Sequence, residues 1–115
     1  MRQFVTSGEG LPQWSSPTSH AVVVDNMCYL SGQLALDSEG VYVPGTSTQE
    51  ARLAFDNLFR ALAAAGFEPS ELVFVDIALT DLTAVPEVNE LFAHCRSRAP
   101  ECRRRARPSP PIRAT

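Results

Sequence analysis

The stretch that decides the fold is His20-Ala21-Val22-Val23-Val24-Asp25-Asn26-Met27-Cys28-Tyr29-Leu30-Ser31-Gly32-Gln33. It holds two runs of strand-forming residues, 20–24 and 27–33, on either side of the polar dipeptide Asp25-Asn26. Two such runs across a two-residue turn predict a β-hairpin. A short strand near residues 4–6 and a loop rich in Ser, Gly and Pro come before it.

The clearest helix signal covers residues 47–65. Ser47-Thr48-Gln49-Glu50 matches a capping box, in which the first hydroxyl caps the helix and the glutamate reaches back. Gly66 supplies the stop signal, and Pro69 prevents a restart. Apolar residues at steps of four and three predict one buried stripe. They are Ala51, Phe55, Leu58, Leu62 and Ala65.

The next part of the chain predicts one more strand and one more helix. Residues 72–79 are apolar on both faces, which favours a strand that is covered on both sides. Thr83 then caps a helix over about 85–93, with Pro86 in its first turn. Its stripe consists of Val88, Leu91 and Phe92. A sheet that ends with this strand keeps a half-covered apolar face, which predicts further strands or a partner subunit.

Charge divides the chain at residue 94. Residues 1–94 hold three arginines and twelve acidic residues, a balance of −9, whereas residues 95–115 hold seven arginines and one acid, a balance of +6. The second part also holds four of the nine prolines, and Ile112 is its single large aliphatic residue. It cannot form a strand with a buried face. We therefore predict a domain over 1–94 and a tail over 95–115 outside the core.

Composition excludes several classes of protein. A length of 115 residues with 44% hydrophobic residues favours one globular domain. No run of about 18 apolar residues predicts a membrane span, and the first residues do not resemble a secretory signal, so the expected location is the cytoplasm. Three cysteines without a C-x-x-C pattern favour neither a zinc site nor a disulfide framework.

Several motifs together resemble the Rid (reactive intermediate deaminase, RidA-like) family. Residues 26–33 resemble its hairpin N-x-x-Y/F-x-S-G-Q, and residues 49–58 resemble its helix Q-E-A-R-x-A-F-D-N-L. Residues 63–66, 77–82 and 88–92 continue the match. The order and spacing of these pieces, from about residue 15 to 93, are more specific than any one of them.

The resemblance implies an α/β (α+β) domain of chorismate-mutase-like fold, in which a mixed sheet carries two helices on one face. The last two family strands have no counterpart here. It further implies a homotrimer with sites in the clefts between subunits, a hydrolase activity that converts 2-imino or enamino acids to 2-keto acids and ammonia, and no metal or cofactor. An imine carbon is already electrophilic, so the protein mainly has to hold the substrate and a water together.

The resemblance also implies site residues. Arg113, in a late P-x-R-x-T match at 111–115, corresponds to the arginine that binds the substrate carboxylate through two hydrogen bonds. Gly32 corresponds to the glycine of S-G-Q, and Asn89 to the asparagine at the start of the second helix. Thr18 stands at the substrate-binding aromatic position of the loop G-P-Y-S-Q-A, and His20 replaces its glutamine, which suggests an altered pocket.

Each of these residues has a plainer interpretation. Arg113 could be solvated on the tail, Asn89 could be an ordinary exposed or capping residue, and Gly32 could mark a bulge. Other candidates are expected to be structural. His20 and His94 have no identifiable acidic partner, Asp76 could bond a backbone group or face a subunit boundary, and Cys28 has no visible base and is expected in the core.

Two functions therefore stay open. One is an imine deaminase, either active or impaired by its unusual C-terminus; the other is a non-catalytic oligomeric domain that binds small metabolites or proteins in the same clefts. Nucleic-acid binding through residues 103–107 is disfavoured, because no aromatic residue interleaves them and the rest of the domain is acidic. The composition of 95–115 is also what a GC-rich gene yields when read out of frame, so a frameshift or a truncation is a hypothesis.

Overall fold

The computed structural model describes residues 2–13 and 18–106, with side chains described as far as Ser97. Three short antiparallel strands form one sheet in the order β1-β2-β3. They are β1 (Arg2–Val5), β2 (Ala21–Val24) and β3 (Met27–Leu30). The predicted hairpin is confirmed. Its turn places Asp25 at a φ of 53°, a left-handed conformation that aspartate adopts more readily than most residues.

Two helices follow the sheet, α1 (Ser47–Ala64) and α2 (Val85–Ala106), with two single 3-10 turns at Pro69–Glu71 and Leu82–Ala84 between them. The first helix ends near its predicted stop, because Gly66 adopts a φ of 87° just after it. Neither helix, as far as the chain is described, is long and apolar enough to cross a membrane.

The capping box of α1 lies one residue earlier than predicted. The Thr46 hydroxyl accepts from the Gln49 amide at 3.2 Å, and Gln49 Oε1 accepts from the Thr46 amide at 2.9 Å. The prediction that Ser47 and Glu50 form this box is wrong. Three consecutive hydroxyls at 46–48 allow more than one box, and the Glu50 carboxylate is instead engaged by the Tyr42 hydroxyl at 2.6 Å.

The start and the end of α2 also differ from the prediction. Asp81, not Thr83, provides the cap at this point: its carboxylate accepts from the Thr83 amide at 3.0 Å and from the Thr83 hydroxyl at 2.6 Å. Aspartate and threonine are both good caps, so the sequence could not choose between them. The helix runs to Ala106 rather than to 93. Alanine and arginine are frequent after His94, and both favour helix even without an apolar stripe.

The core lies between one face of the sheet and the two helices. The Phe92 ring of α2 lies 5.0 Å from that of Phe55 and stacks 6.1 Å from that of Phe59, centroid to centroid, so the helices pack through aromatic side chains. Both predicted stripes are confirmed, although the α1 stripe omitted Phe59. The largest apolar members of the core are Val5, Val23, Phe55, Phe59, Leu62, Phe67, Val88 and Leu91.

The predicted strand at residues 72–79 is wrong. The segment forms no ladder with any described strand, and Val73 and Phe74 are 86% and 75% exposed. Leu72 and Leu79 alone among its residues pack against the core. A strand needs a neighbour to bond its amides and carbonyls, and the described residues provide none beside this segment. The apolar pattern indicates that these residues favour a strand, but it does not indicate whether a second strand is available to pair with them.

The described part of the chain continues to pack just past residue 94. Cys95 is buried in the core cluster, and Arg96 Nε donates to the Pro69 carbonyl at 3.2 Å. Helix α2 is thus anchored on the 3-10 turn at Pro69–Glu71 one helical turn beyond Leu91. The division of the chain into a domain over 1–94 and a tail stays a prediction.

The outer face of the sheet is apolar, and its described side chains are largely exposed. The antiparallel register places Phe4 opposite Val22, and Val22 opposite Tyr29. Phe4 and Tyr29 are 58% and 60% exposed, and Met27 on the same face is half exposed. We call Phe4, Val22, Met27 and Tyr29 the outer apolar face. A monomer rarely exposes so many adjacent apolar side chains without a use for them.

We expect the substitution Phe59→Ala to lower the free energy of unfolding by about 3–5 kcal/mol, because it empties a packed aromatic position. The matched substitution Phe74→Ala removes the same atoms from an exposed ring and should cost less than about 0.5 kcal/mol. Urea unfolding at low protein concentration checks both values. Equal losses would mean that residues 72–79 are packed as the sequence predicted.

Candidate functional site

Gly32 lies in the segment that leaves the sheet after β3. It is exposed, and a Cβ built on it would meet nothing within 4 Å. Its backbone has no positive φ, so the described fold itself does not demand glycine at this position. A glycine with open space around it suits close approach by a group from outside. It is not part of a strand, so the interpretation as a bulge is not supported.

The residues on both sides of Gly32 are held by hydrogen bonds. The Ser31 amide donates to the His20 carbonyl at 2.9 Å, and the Ser31 hydroxyl donates to the Ser19 carbonyl. The side-chain nitrogen of Gln33, Nε2, lies 3.3 Å from the Ser31 carbonyl oxygen and 3.5 Å from His20 Nδ1. The chain therefore fixes positions 31 and 33 and leaves the backbone between them open.

His20 is a buried structural residue, as the sequence led us to expect. It is 0% exposed, its amide donates to the Val5 carbonyl at 2.8 Å, and its Nε2 lies 3.0 Å from the Pro12 carbonyl oxygen. The ring thus links the loop after β1 to the entry of β2. Thr18, two residues earlier, is exposed and lies next to this bonded set.

Asn89 lies on a different surface. It is exposed in the second turn of α2 and lines an open groove of about 230 Å³. The other lining residues are Val75, Ile77, Leu79, Val85 and Val88. Neither Thr18 nor Gly32 is among the residues that line this groove, so the groove does not bring Asn89 together with them. Arg113 lies outside the described residues.

The remaining candidates do not form a catalytic group. Burial raises the pKa of the Cys28 thiol to about 11, so the thiol stays protonated near neutral pH, and the side chain packs against the core as predicted. Asp76 is exposed, which contradicts its expected place in a buried strand. His94 is exposed on α2. Within the described ranges no cluster of three or more His, Cys, Asp or Glu side chains could hold a metal ion.

Sequence reasoning missed Asn57, which is 0% exposed on the core side of α1. Its Nδ2 donates to the Leu34 carbonyl at 3.0 Å and to the Leu36 carbonyl at 2.9 Å, and its Oδ1 accepts from Arg60 Nη1 at 3.0 Å. The side chain thereby fixes the segment directly after Gly32. The available signal was an amide next to the apolar stripe, since a buried polar side chain has to be bonded.

Three antiparallel strands under two helices, with an open glycine after the hairpin, define the class of small α/β domains that the motifs resemble. The chain belongs to the endoribonuclease L-PSP family, whose model matches residues 11–112. This is the family that the motifs resemble under the name Rid.

Relatives with known names support this assignment. The mouse 2-iminobutanoate/2-iminopropanoate deaminase is 39% identical over 89 residues, which cover 76% of this chain and 66% of the mouse protein. The human protein of the same name is 36% identical over 93 residues, 80% of this chain and 67% of the human protein. The chain thus spans about two thirds of the length of these curated relatives.

Solved structures confirm the α/β fold. RidA from an Antarctic Psychrobacter superposes with a TM-score of 0.74 at 29% identity, covering 98% of this chain and 84% of that one. A yeast protein superposes with a TM-score of 0.75 at 28% identity, covering 82% of this chain and 74% of that one.

We expect Asn57→Ala to lower the free energy of unfolding by about 2–3 kcal/mol, because the Leu34 and Leu36 carbonyls lose their partner. The matched control Asn89→Ala removes an exposed amide and should cost less than about 0.5 kcal/mol. Thermal or urea unfolding of both variants gives the comparison. An Asn57→Ala variant as stable as the control would show that this amide does not hold the loop.

Proposed function

We propose that the protein hydrolyses reactive 2-imino or enamino acids to 2-keto acids and ammonia. The observation that carries the proposal is the open backbone at Gly32 in a chain 39% identical to a protein named 2-iminobutanoate/2-iminopropanoate deaminase.

The proposed reaction makes few demands on the protein. Water adds to the carbon of the C=N bond, the nitrogen takes up protons, and ammonia leaves as the C=O bond forms. No electrons are transferred, so the reaction needs no redox cofactor, and the imine carbon is already electrophilic, so the proposed step does not require a metal to activate it. The protein has to hold the carboxylate and the water near the imine carbon. We assign the carboxylate to Arg113, and contacts with the rest of the substrate to Thr18, Gly32 and Asn89.

We place this site in the clefts of a homotrimer. The outer apolar face of the sheet would be covered by sister copies, which removes its side chains from water. Neither Thr18 nor Gly32 lines the groove of Asn89. One cleft could contain all three residues if neighbouring copies supply them from different surfaces.

A second candidate is a non-catalytic domain that binds small metabolites or proteins in the same clefts. Thr18 favours it, because an exposed threonine cannot close over a substrate as the family's aromatic ring could. A deaminase with impaired activity lies between these two candidates.

We do not propose RNA cleavage, although the family description names an endoribonuclease. The net charge of −9 over residues 1–94 would repel a phosphate backbone. We also propose that the protein is located in the cytoplasm.

Ammonia release from 2-iminobutanoate, generated in situ by an amino-acid oxidase acting on 2-aminobutanoate, tests the activity. We expect Gly32→Val to lower kcat/KM by about tenfold or more, about 1.4 kcal/mol in the barrier, because the side chain occupies the open approach.

The control for this experiment is Gly8→Ala, whose added Cβ would lie 2.8 Å from Ala64 Cβ and so strains the fold away from Gly32. It should lower stability and leave the activity per folded molecule unchanged. Wild-type protein that releases no ammonia above the oxidase background would favour the binding domain instead.

The outer apolar face allows a separate test of assembly. We expect Tyr29→Glu to convert trimers to monomers, since a carboxylate would be buried without a partner in the subunit interface. The control Val41→Glu changes a residue that is similarly exposed, 57% against 60%, but lies outside the sheet. Sedimentation velocity measures both. A wild-type chain that stays monomeric at tens of micromolar would contradict the trimer.

A further inference from the structure

His20 and Gln33 form a polar pair at the end of the hairpin. The His20 ring is fully buried, and its two nitrogens approach two different partners. Nε2 lies 3.0 Å from the Pro12 carbonyl oxygen, and Nδ1 lies 3.5 Å from the amide nitrogen of Gln33. The pair therefore joins the loop after β1, the start of β2 and the segment after β3.

The partners determine where the protons lie. A carbonyl oxygen can only accept, so Nε2 carries the ring proton and donates it to Pro12. Nδ1 is then an acceptor and takes an N–H of Gln33. The second N–H of the same amide points to the Ser31 carbonyl at 3.3 Å. With Nδ1 as the acceptor, rotating the amide by half a turn would place its oxygen against two acceptors, so the orientation with the nitrogen toward the ring fits.

Gln33 depends on these two bonds. Its Oε1 is buried, and within the described ranges it has no hydrogen-bond partner. The amide is therefore held through its nitrogen, by His20 Nδ1 and by the preceding Ser31 carbonyl. Without the ring acceptor, a single bond of 3.3 Å within the same short segment would remain. Such a bond cannot fix the segment relative to the rest of the domain.

The pair completes a set of bonds around Gly32. The Ser31 amide and hydroxyl hold position 31 to the His20 and Ser19 carbonyls, and the ring holds position 33. Thr18 directly precedes Ser19 on the other side of this set. The same few bonds thus determine where the open glycine backbone lies relative to the Thr18 loop.

We propose that His20 is a positioning residue, whose ring holds Gln33 and so fixes the Gly32 backbone relative to Thr18. The inference rests on the proposed function only where it concerns activity. A neutral imidazole with its proton on Nε2 offers one donor and one acceptor, as does the amide of a glutamine. The ring can therefore offer the same two hydrogen-bonding functions, a donor and an acceptor, as the glutamine that stands at this position in the family motif.

This equivalence gives the test. His20→Gln keeps a donor and an acceptor, whereas His20→Leu keeps a bulky side chain without either. Gln33→Met is a second route to the same loss if His20→Leu folds poorly, because it removes the amide donor and retains the ring. The readouts are amide hydrogen exchange at residues 31–33, which needs no substrate, and kcat and KM for ammonia release from 2-iminobutanoate.

We expect His20→Leu and Gln33→Met to speed exchange of the Ser31 amide, which donates to the His20 carbonyl, by about tenfold, and to lower kcat by about tenfold with KM changed less than about threefold, as for a misaligned site. His20→Gln should restore both readouts to within about twofold of wild type. A residue needed only for stability would shift the melting temperature and leave kcat per folded molecule unchanged.

Unchanged exchange and unchanged kcat in folded His20→Leu or Gln33→Met protein would overturn the inference, as would a His20→Gln variant no better than His20→Leu. If the wild-type protein releases no ammonia, the proposed function fails, and the exchange rates alone then decide whether His20 positions Gly32.

Discussion

The contact between the hairpin and the two helices is the constraint on which the rest of the structure depends. The two-residue turn at Asp25-Asn26 fixes the register of β2 and β3, and side chains alternate between the faces of a sheet. Ala21 and Val23 therefore enter the core, and Val22 and Tyr29 lie on the outer face. One choice of register produces both the packed core and the apolar face that needs a partner.

The position of the candidate site follows from the same contact. The chain leaves the sheet at Ser31, where individual hydrogen bonds hold the backbone in place of the regular bonds of the sheet. On one side His20 holds the segment, and on the other side Asn57 reaches from α1 to the Leu34 and Leu36 carbonyls. Gly32 lies between these two anchors. Its open backbone is thus a consequence of the hydrogen bonds that hold the chain on both sides of it.

Periodicity predicted the elements that are stabilised by local contacts. The hairpin and both helical stripes were predicted because each repeats its apolar residues within one element. The caps at Thr46 and Asp81 were misplaced because several neighbouring residues are equally able to cap. The strand at 72–79 was wrong because a strand also needs a partner, which no local pattern reveals. Asn57 was missed because a polar residue beside a stripe normally faces water.

His20 shows why the structure was needed to assign a role. In the sequence it was a candidate base without an acidic partner; in the structure both ring nitrogens have hydrogen-bond partners, a buried one at Nε2 and a part-buried one at Nδ1. A ring whose two nitrogens both contact neighbouring segments is suited to holding those segments together. The proposed chemistry is compatible with this role, because an imine nitrogen is itself basic and its protonated form is attacked by neutral water. The hydrolysis requires that this region holds substrate and water in fixed positions. The His20 and Gln33 pair serves this requirement, because it holds the Gly32 segment in place.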